Sequence, residues 1–273
     1  MALPFLFVLV GLTIGLLGGG GSILTVPLLV YLGGLEAKNA ATTSLFVVGV
    51  TSSFGLAPYL RRCLVDVRVA TAFGPVSMLG AFVGGALARH LSDTLLLGLF
   101  AVMMLGTSAA MLRRPRLWSP APPAERGAES SGRRVLGLGI LGAVVGVLTG
   151  LVGAGGGFMV VPALVLFGGL EMRRAVATSL ALVCLNSAAG LAGHLSHASV
   201  DWKLAFTLSA TAATGALAGS VLSNRIPGER LRRSFAAFVA TLGVLVLGAQ
   251  LPALPAFAAL RDKPHPDAGG TVP

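Results

Sequence analysis

Charge is what this chain has least of. Asp, Glu, Lys and Arg make up 11% of its 273 residues, less than half of the roughly 25% found in soluble domains. Acidic residues are the scarcer sign, 10 against 20 basic ones, and they form no cluster suited to a metal ion or a cationic solute. Two cysteines, Cys63 and Cys184, are too few for a disulfide framework. No catalytic acid pair, metal-ligand spacing or nucleophile elbow occurs, so the sequence reads as no enzyme and calls for no cofactor. A run of four glycines invites a phosphate-loop reading. It fails, because no Lys-Ser/Thr follows and no βαβ context exists to hold a nucleotide.

What the chain has in abundance is apolar residues, 55% of the total, and glycine, 38 residues. Apolar runs occupy residues 40–60, 69–88, 95–112, 176–195, 204–222 and 235–251. Each reaches or approaches the ~20 residues that cross a ~30 Å hydrocarbon core. The expected fold class is therefore all-α, a polytopic helical membrane protein. The net charge of +10 does not form a stripe. Its residues sit in short connections between apolar runs, where topology signals reside, which excludes nucleic acid as a partner. The first 17 residues lack a basic start and a small-residue cleavage site, and read as a retained segment rather than a signal peptide.

The chain is written twice. Pro27 and Pro162 stand 135 positions apart, and that offset aligns residues 11–91 with 146–226 without a gap. Roughly two in five aligned positions are identical, and periodicity on this scale marks a duplicated unit. Matches include Gly18 with Gly153, Gly20 with Gly155, Gly21 with Gly156 and Glu36 with Glu171. They continue through Thr43-Ser44 with Thr178-Ser179, Ser52 with Ser187, and Asp66 with Asp201. The expected domains are a first transmembrane repeat over residues 1–112, a cytoplasmic linker over 113–134, a second repeat over 135–260 and a disordered polar tail over 261–273. The linker is polar and Pro-rich.

Each repeat opens on a hydrophobic segment interrupted by glycines, "GLLGGGGSILTVPLL" and "GLVGAGGGFMVVPAL". If each were a single crossing, one side of the membrane would carry twelve Lys/Arg and the other eight. If each were two arms around a break, the split becomes fifteen against five. The rich side would hold Arg61, Arg62, Arg68, Arg173, Arg174, Arg225, Arg230, Arg232, Arg233 and the linker arginines, and the poor side Lys38, Arg89, Lys203, Arg261 and Lys263. The positive-inside rule favours the second arrangement. It predicts two inverted repeats, each a Gly-broken or re-entrant segment plus three spans, about eight hydrophobic segments in all. The linker lies inside and both termini outside. Whether each broken segment re-enters or crosses twice stays open.

Gly costs ~1 kcal/mol per residue inside a helix, and unwound backbone at membrane depth survives only against protein or a watery cavity. Glycine breaks at matching places in two inverted halves point to a transport site at the repeat interface. The helix after each break starts near Ser22 and Gly157, and its amide dipoles suit an anion. The candidate substrate-binding residues are Gly18, Gly19, Gly20, Gly21, Ser22, Gly153, Gly155, Gly156 and Gly157, joined by Thr43, Ser44, Thr178, Ser179 and Asn186. The hydroxyls either donate to an oxyanion or bond back to the carbonyl four residues earlier. Asn186, aligned with Thr51, faces the interior and serves either the solute or an interhelical bond. Gly80, Gly84, Gly215 and Gly219 read as packing positions. Asp66 and Asp201 read as N-caps, and Glu36 and Glu171 as caps or loop ion pairs. His194 and His197 read as interfacial, and Cys184 as core.

The paired glycine segments, each followed by Gly-Gly-Leu-Glu and then "ATTSL" or "ATSL", resemble the TauE/SafE sulfite exporter family, also called the four-toluene-sulfonate uptake family. The resemblance covers nearly the whole chain. It implies a multi-pass secondary transporter of the bacterial or archaeal inner membrane, carrying small anions such as sulfite, thiosulfate or organosulfonates by alternating access. The implied partners are the small anion and the lipid bilayer, with self-association left open. A permease for another small solute and a non-transporting membrane scaffold are the alternatives. The first copy has Ser22 where the second has Gly157, and Ala154 replaces Gly19, so the two half-sites are not equivalent.

Overall fold

The computed structural model describes residues 2–19, 21–113, 131–153, 156–195 and 200–250. Among these residues no strand occurs, and ten α-helices follow in two sets of five. The first set is α1 (Ala2–Leu17), α2 (Ser22–Tyr31), α3 (Ala37–Leu60), α4 (Val67–Leu87) and α5 (Asp93–Arg113). The second is α6 (Ser131–Val152), α7 (Gly157–Leu166), α8 (Met172–His194), α9 (Trp202–Leu222) and α10 (Gly228–Gln250). Helices α7 to α10 each start 135 residues after their counterparts α2 to α5. The expected linker is trimmed at both ends, because α5 takes in Arg113 and α6 begins at Ser131. Arg is a good helix former, so the helices run past the apolar stretch. Residues 114–130 and 251–273, the rest of the linker and the polar tail included, lie outside the described residues.

The repeats agree in their helix ends. Gly18 closes α1 with a left-handed φ of 70°, its amide donating to the Ile14 carbonyl at 2.9 Å. Gly153 closes α6 in the same way, with φ 72° and a 3.0 Å bond to the Thr149 carbonyl. Glycine adopts that conformation without a Cβ clash, the usual left-handed helix cap. The break is thus a capped end followed by a new start, and α2 and α7 begin at Ser22 and Gly157 as the sequence predicts. Asp66 and Asp201 cap α4 and α9, accepting from the amides of Val69 and Leu204 at 3.1 Å each. Glu36 and Glu171 stand at the N-cap positions of α3 and α8 but make no side-chain cap bond.

Helices α3, α4, α8 and α9 are long and apolar enough to span a membrane, and α1 and α2 are shorter apolar pieces. The first helix of each repeat packs on the fourth helix of the other, α1 on α9 and α6 on α4. Glycines make these contacts close. Gly11 and Gly15 lie on the Ala212 and Ala216 carbonyls, and Gly215 and Gly219 lie in return on Val8 and Leu12. The other pair repeats the pattern, with Gly142, Gly146 and Gly150 on Phe73, Ser77 and Ala81, and Gly80 and Gly84 on Val147. Between apolar helices in lipid, such backbone proximity supplies the dispersion contacts that hold the pair.

Helix directions follow from the same contacts. Along α1 and α9 the partner numbers rise together, so the helices run parallel. Along α3 and α8 they run opposite ways: Leu45 meets Gly190, Gly49 meets Ser187, and Gly55 meets Leu180. Equivalent helices that cross antiparallel place the two halves in opposite orientation. The crossing is centred near Val50 and Leu185, which are themselves equivalent positions.

The charged residues sort accordingly. At one end the Asp66 amide donates to the Thr178 hydroxyl at 2.9 Å, and the Arg173 guanidinium donates to the Ile226 carbonyl at 3.4 Å. At the other end Lys38 Nζ donates to the Arg89 carbonyl at 3.2 Å. This is the grouping of the two-arm arrangement. A single crossing per broken segment would have put Asp66 and Arg173 on opposite sides.

Candidate functional site

The two breaks meet at the centre. A Cβ built on Gly19 would stand 2.7 Å from the Gly157 Cα, so the backbones are in direct contact. Gly18 rests on Val176 and Ser179 of α8, and Gly153 rests on Ala41 of α3, the repeat counterpart of Val176. Gly21 and Gly156 fold back onto their own first helices, beside Thr13 and Thr149. Neither α2 nor α7 carries a side-chain cap. Their first-turn amides are therefore not covered by a capping side chain at the break. Gly20, Ala154 and Gly155 lie outside the described residues.

The hydroxyl candidates divide. Ser179 donates to the Gly18 carbonyl at 2.7 Å and also approaches the Val176 carbonyl at 2.8 Å, so it pins the first break to α8. Thr178 accepts from the Asp66 amide and ties the α8 start to the α4 start. Ser22 donates to the Gly19 carbonyl at 2.6 Å. Thr43 and Ser44 are buried, and the Ser44 hydroxyl has no partner. Ser44 and Ser179 thus differ although they occupy equivalent positions.

A second group emerges one to two turns further along α3 and α8. Thr51, Ser52, Asn186 and Ser187 are all buried, and the first, second and fourth have unpartnered hydroxyls. Asn186 accepts a 2.9 Å bond from Ser77 at Oδ1 while its Nδ2 has no partner. These residues continue the helical stripes that face the breaks, Ala41–Ser44–Val48 on α3 and Val176–Ser179–Val183 on α8, with Gly19 against Val183. They also straddle the crossing centre. Buried polar groups ordinarily find partners, and each orphan costs about 1–3 kcal/mol. Thr51, Ser52, Asn186 and Ser187 each keep such an orphaned atom.

Asn186 was anticipated from the sequence as interior; Thr51, Ser52 and Ser187 were not singled out as binding residues. The available signal was the Ser52/Ser187 identity between repeats, two helical turns beyond Ser44/Ser179. A groove of about 270 Å3 opens at the same crossing, lined by Leu45, Gly49, Ser53, Cys184, Ser187 and Leu191 among others. Cys184 is half-buried there, with its thiol 2.9 Å from the Ser53 hydroxyl, rather than in the core. His194, at the end of α8, is fully buried because Gly85 and Gly193 let α4 close over it. His197 lies outside the described residues. Among the described residues no group of His, Cys, Asp and Glu is placed to hold a metal ion.

An intertwined pair of inverted helical repeats, each broken at glycines after its first helix and with buried polar residues on α3 and α8, defines a multi-pass membrane protein of the transporter class. The chain belongs to the sulfite exporter TauE/SafE family, whose model matches residues 3–246. It is 31% identical over 242 residues to a probable membrane transporter protein of Xylella fastidiosa (strain 9a5c), covering 88% of this chain and 91% of that one. It is 28% identical to the probable membrane transporter protein YunE of Bacillus subtilis (strain 168), over 88% of this chain and 92% of the relative. A probable membrane transporter protein of Methanocaldococcus jannaschii is 23% identical over 90% and 96% of the two chains. No solved structure matches the chain at a significant level. The chain is a membrane transporter and not an enzyme.

Proposed function

We propose that this transporter carries small anions, sulfur oxyanions and organosulfonates foremost, by alternating access at the repeat interface. The observation that carries this reading is that Thr51, Ser52, Asn186 and Ser187, each buried with an unpartnered donor, lie on α3 and α8, the helices against which the two glycine breaks pack. The positive dipole ends of α2 and α7 favour negative charge, and the donors of Thr51, Ser52, Asn186 and Ser187 offer hydrogen bonds to acceptor oxygens. The two inverted halves rock about the α3–α8 crossing, exposing the axis to one side and then the other. The arginine-rich end, with the linker, faces the cytoplasm of the cell membrane.

A permease for neutral solutes is the competing reading, favoured by the absence of any buried Lys or Arg among the described residues. Proteoliposome uptake of labelled methanesulfonate against labelled glycerol separates the two. Saturable methanesulfonate uptake supports the anion reading, and glycerol uptake without it ends that reading.

A further inference from the structure

The two repeats differ where the second long helix of one meets the fourth helix. Gly193, near the end of α8, lets α4 close on it: a Cβ there would run into the Phe82 carbonyl and the Ala86 amide. The repeat counterpart of Gly193 is Pro58 on α3, and those of Phe82 and Ala86 are Leu217 and Val221 on α9. Proline carries a ring where glycine has only hydrogen, so α9 is kept from approaching α3 as α4 approaches α8. In place of that contact lies a groove of about 300 Å3, lined by Ala57, Pro58, Arg61, Arg62, Leu217 and Val221.

Charge divides the two places as well. Arg61 and Arg62 stand where the second repeat has Ser196 and His197. Both arginines are exposed at the end of α3. Among the described residues neither guanidinium has a hydrogen-bond or ion-pair partner. The walls further into the span are apolar and open outward, Val221 at 54% exposure and Leu217 at 39%. A cationic mouth at the end of a span, above apolar walls within it, has the division of a phospholipid: charged head, hydrocarbon tail. An unpaired guanidinium offers a phosphate a planar fork of donors. Basic pockets between membrane helices are suited to anionic headgroups for this reason.

We propose that this groove binds one anionic phospholipid, its phosphate on Arg61 and Arg62 and the start of an acyl chain along Pro58, Leu217 and Val221. The bound lipid joins α3 of the first repeat to α9 of the second across the gap that Pro58 leaves. Phosphatidylcholine brings the same phosphate with a quaternary ammonium beside it, which two guanidinium groups repel. Net headgroup charge therefore sets the preference, and the acyl chain sets the depth. The groove lies on the outer side of the α3–α9 pair, and its occupant does not depend on which solute the transporter carries.

The test uses the full chain in detergent, with bound lipid read by native mass spectrometry and stability by thermal unfolding. The probes are dioleoyl phosphatidylglycerol, dioleoyl phosphatidylcholine and glycerol 3-phosphate. Phosphatidylglycerol should bind at least about ten-fold more tightly than phosphatidylcholine and raise the melting temperature, with glycerol 3-phosphate doing neither. The double variant Arg61→Gln/Arg62→Gln should bring the two lipids to equal affinity. Arg68→Gln/Arg230→Gln removes as much charge from exposed positions at the same end and should keep the preference. Val221→Phe fills the apolar part while both arginines remain, and should weaken phosphatidylglycerol binding. Equal affinity of the wild type for the two lipids, or equal loss in the two double variants, overturns the proposal. So does phosphatidylglycerol binding unchanged in Val221→Phe, or glycerol 3-phosphate binding as tightly as the lipid.

Discussion

Gly19 and Gly157 touch backbone to backbone although they are not equivalent positions; the counterpart of Gly157 is Ser22, and that of Gly19 is Ala154. Gly157 has no left-handed φ, so a side chain there tests packing alone. Gly157→Val should force the breaks apart, an overpacking worth about 1–3 kcal/mol. Membrane insertion should persist while methanesulfonate uptake drops at least about ten-fold, corresponding to about 1.4 kcal/mol. Uptake at the wild-type rate would remove the breaks from the site.

The glycine ladder between α4 and α6 is expected to be structural. Gly146 has the Ser77 backbone where a Cβ would go, whereas nothing lies within 4 Å of a Cβ at Gly106. Gly146→Val should lower the melting temperature in detergent, by about 1–3 kcal/mol of overpacking. Gly106→Ala should raise it, by up to about 1 kcal/mol of helix propensity. Thermal unfolding of the two variants side by side checks the sign of each.

Ser44 and Ser179 should respond oppositely to loss of the hydroxyl. Ser179→Ala removes the bond to the Gly18 carbonyl and should cost about 1 kcal/mol of stability. Ser44→Ala removes an orphaned donor and should leave stability unchanged or higher. If Ser44 serves the solute, the KM for methanesulfonate rises in Ser44→Ala. Thermal shift and uptake kinetics on both variants decide.

Asn186→Leu keeps much of the side-chain volume but deletes the unpartnered Nδ2 and the acceptor that Ser77 uses. Uptake should fall at least about ten-fold, the equivalent of about 1.4 kcal/mol. Ser77→Ala leaves the amide in place and should retain most of the transport, at about 1 kcal/mol in stability. Equal transport losses in the two variants would assign Asn186 to helix packing rather than to the solute.

Orientation is open to native chemistry. Cys63 is exposed in the α3–α4 turn beside Arg61 and Arg62, with Cys184 half-buried mid-span. A membrane-impermeant maleimide should label Cys63 in inside-out vesicles and not in intact cells. Labelling in intact cells would turn the arginine-rich end outward.

Much of this was legible along the chain. Left-handed glycine caps at Gly18 and Gly153, helix starts at Ser22 and Gly157 and carboxylate caps at Asp66 and Asp201 are local events, set by backbone sterics and short hydrogen bonds. The exchange of first helices, α1 onto α9 and α6 onto α4, was not legible. In a soluble protein the polar face of a helix marks its outer side. In lipid the faces toward solvent and toward protein are both apolar, so Leu12 and Leu79 look alike in sequence while one meets Gly219 and the other is exposed. The same ambiguity hid the burial of His194 and the role of Thr178 as partner of the Asp66 amide.

The amino-acid sequence by itself determined a duplicated, charge-free membrane interior with a glycine break in each half, because composition and an exact-offset repeat need no third dimension to be read. Only the tertiary structure decided that the breaks touch and that Thr51, Ser52, Asn186 and Ser187 are buried near the crossing of α3 with α8. That placement depends on the antiparallel crossing of α3 with α8, a long-range contact that side-chain order along one helix does not encode.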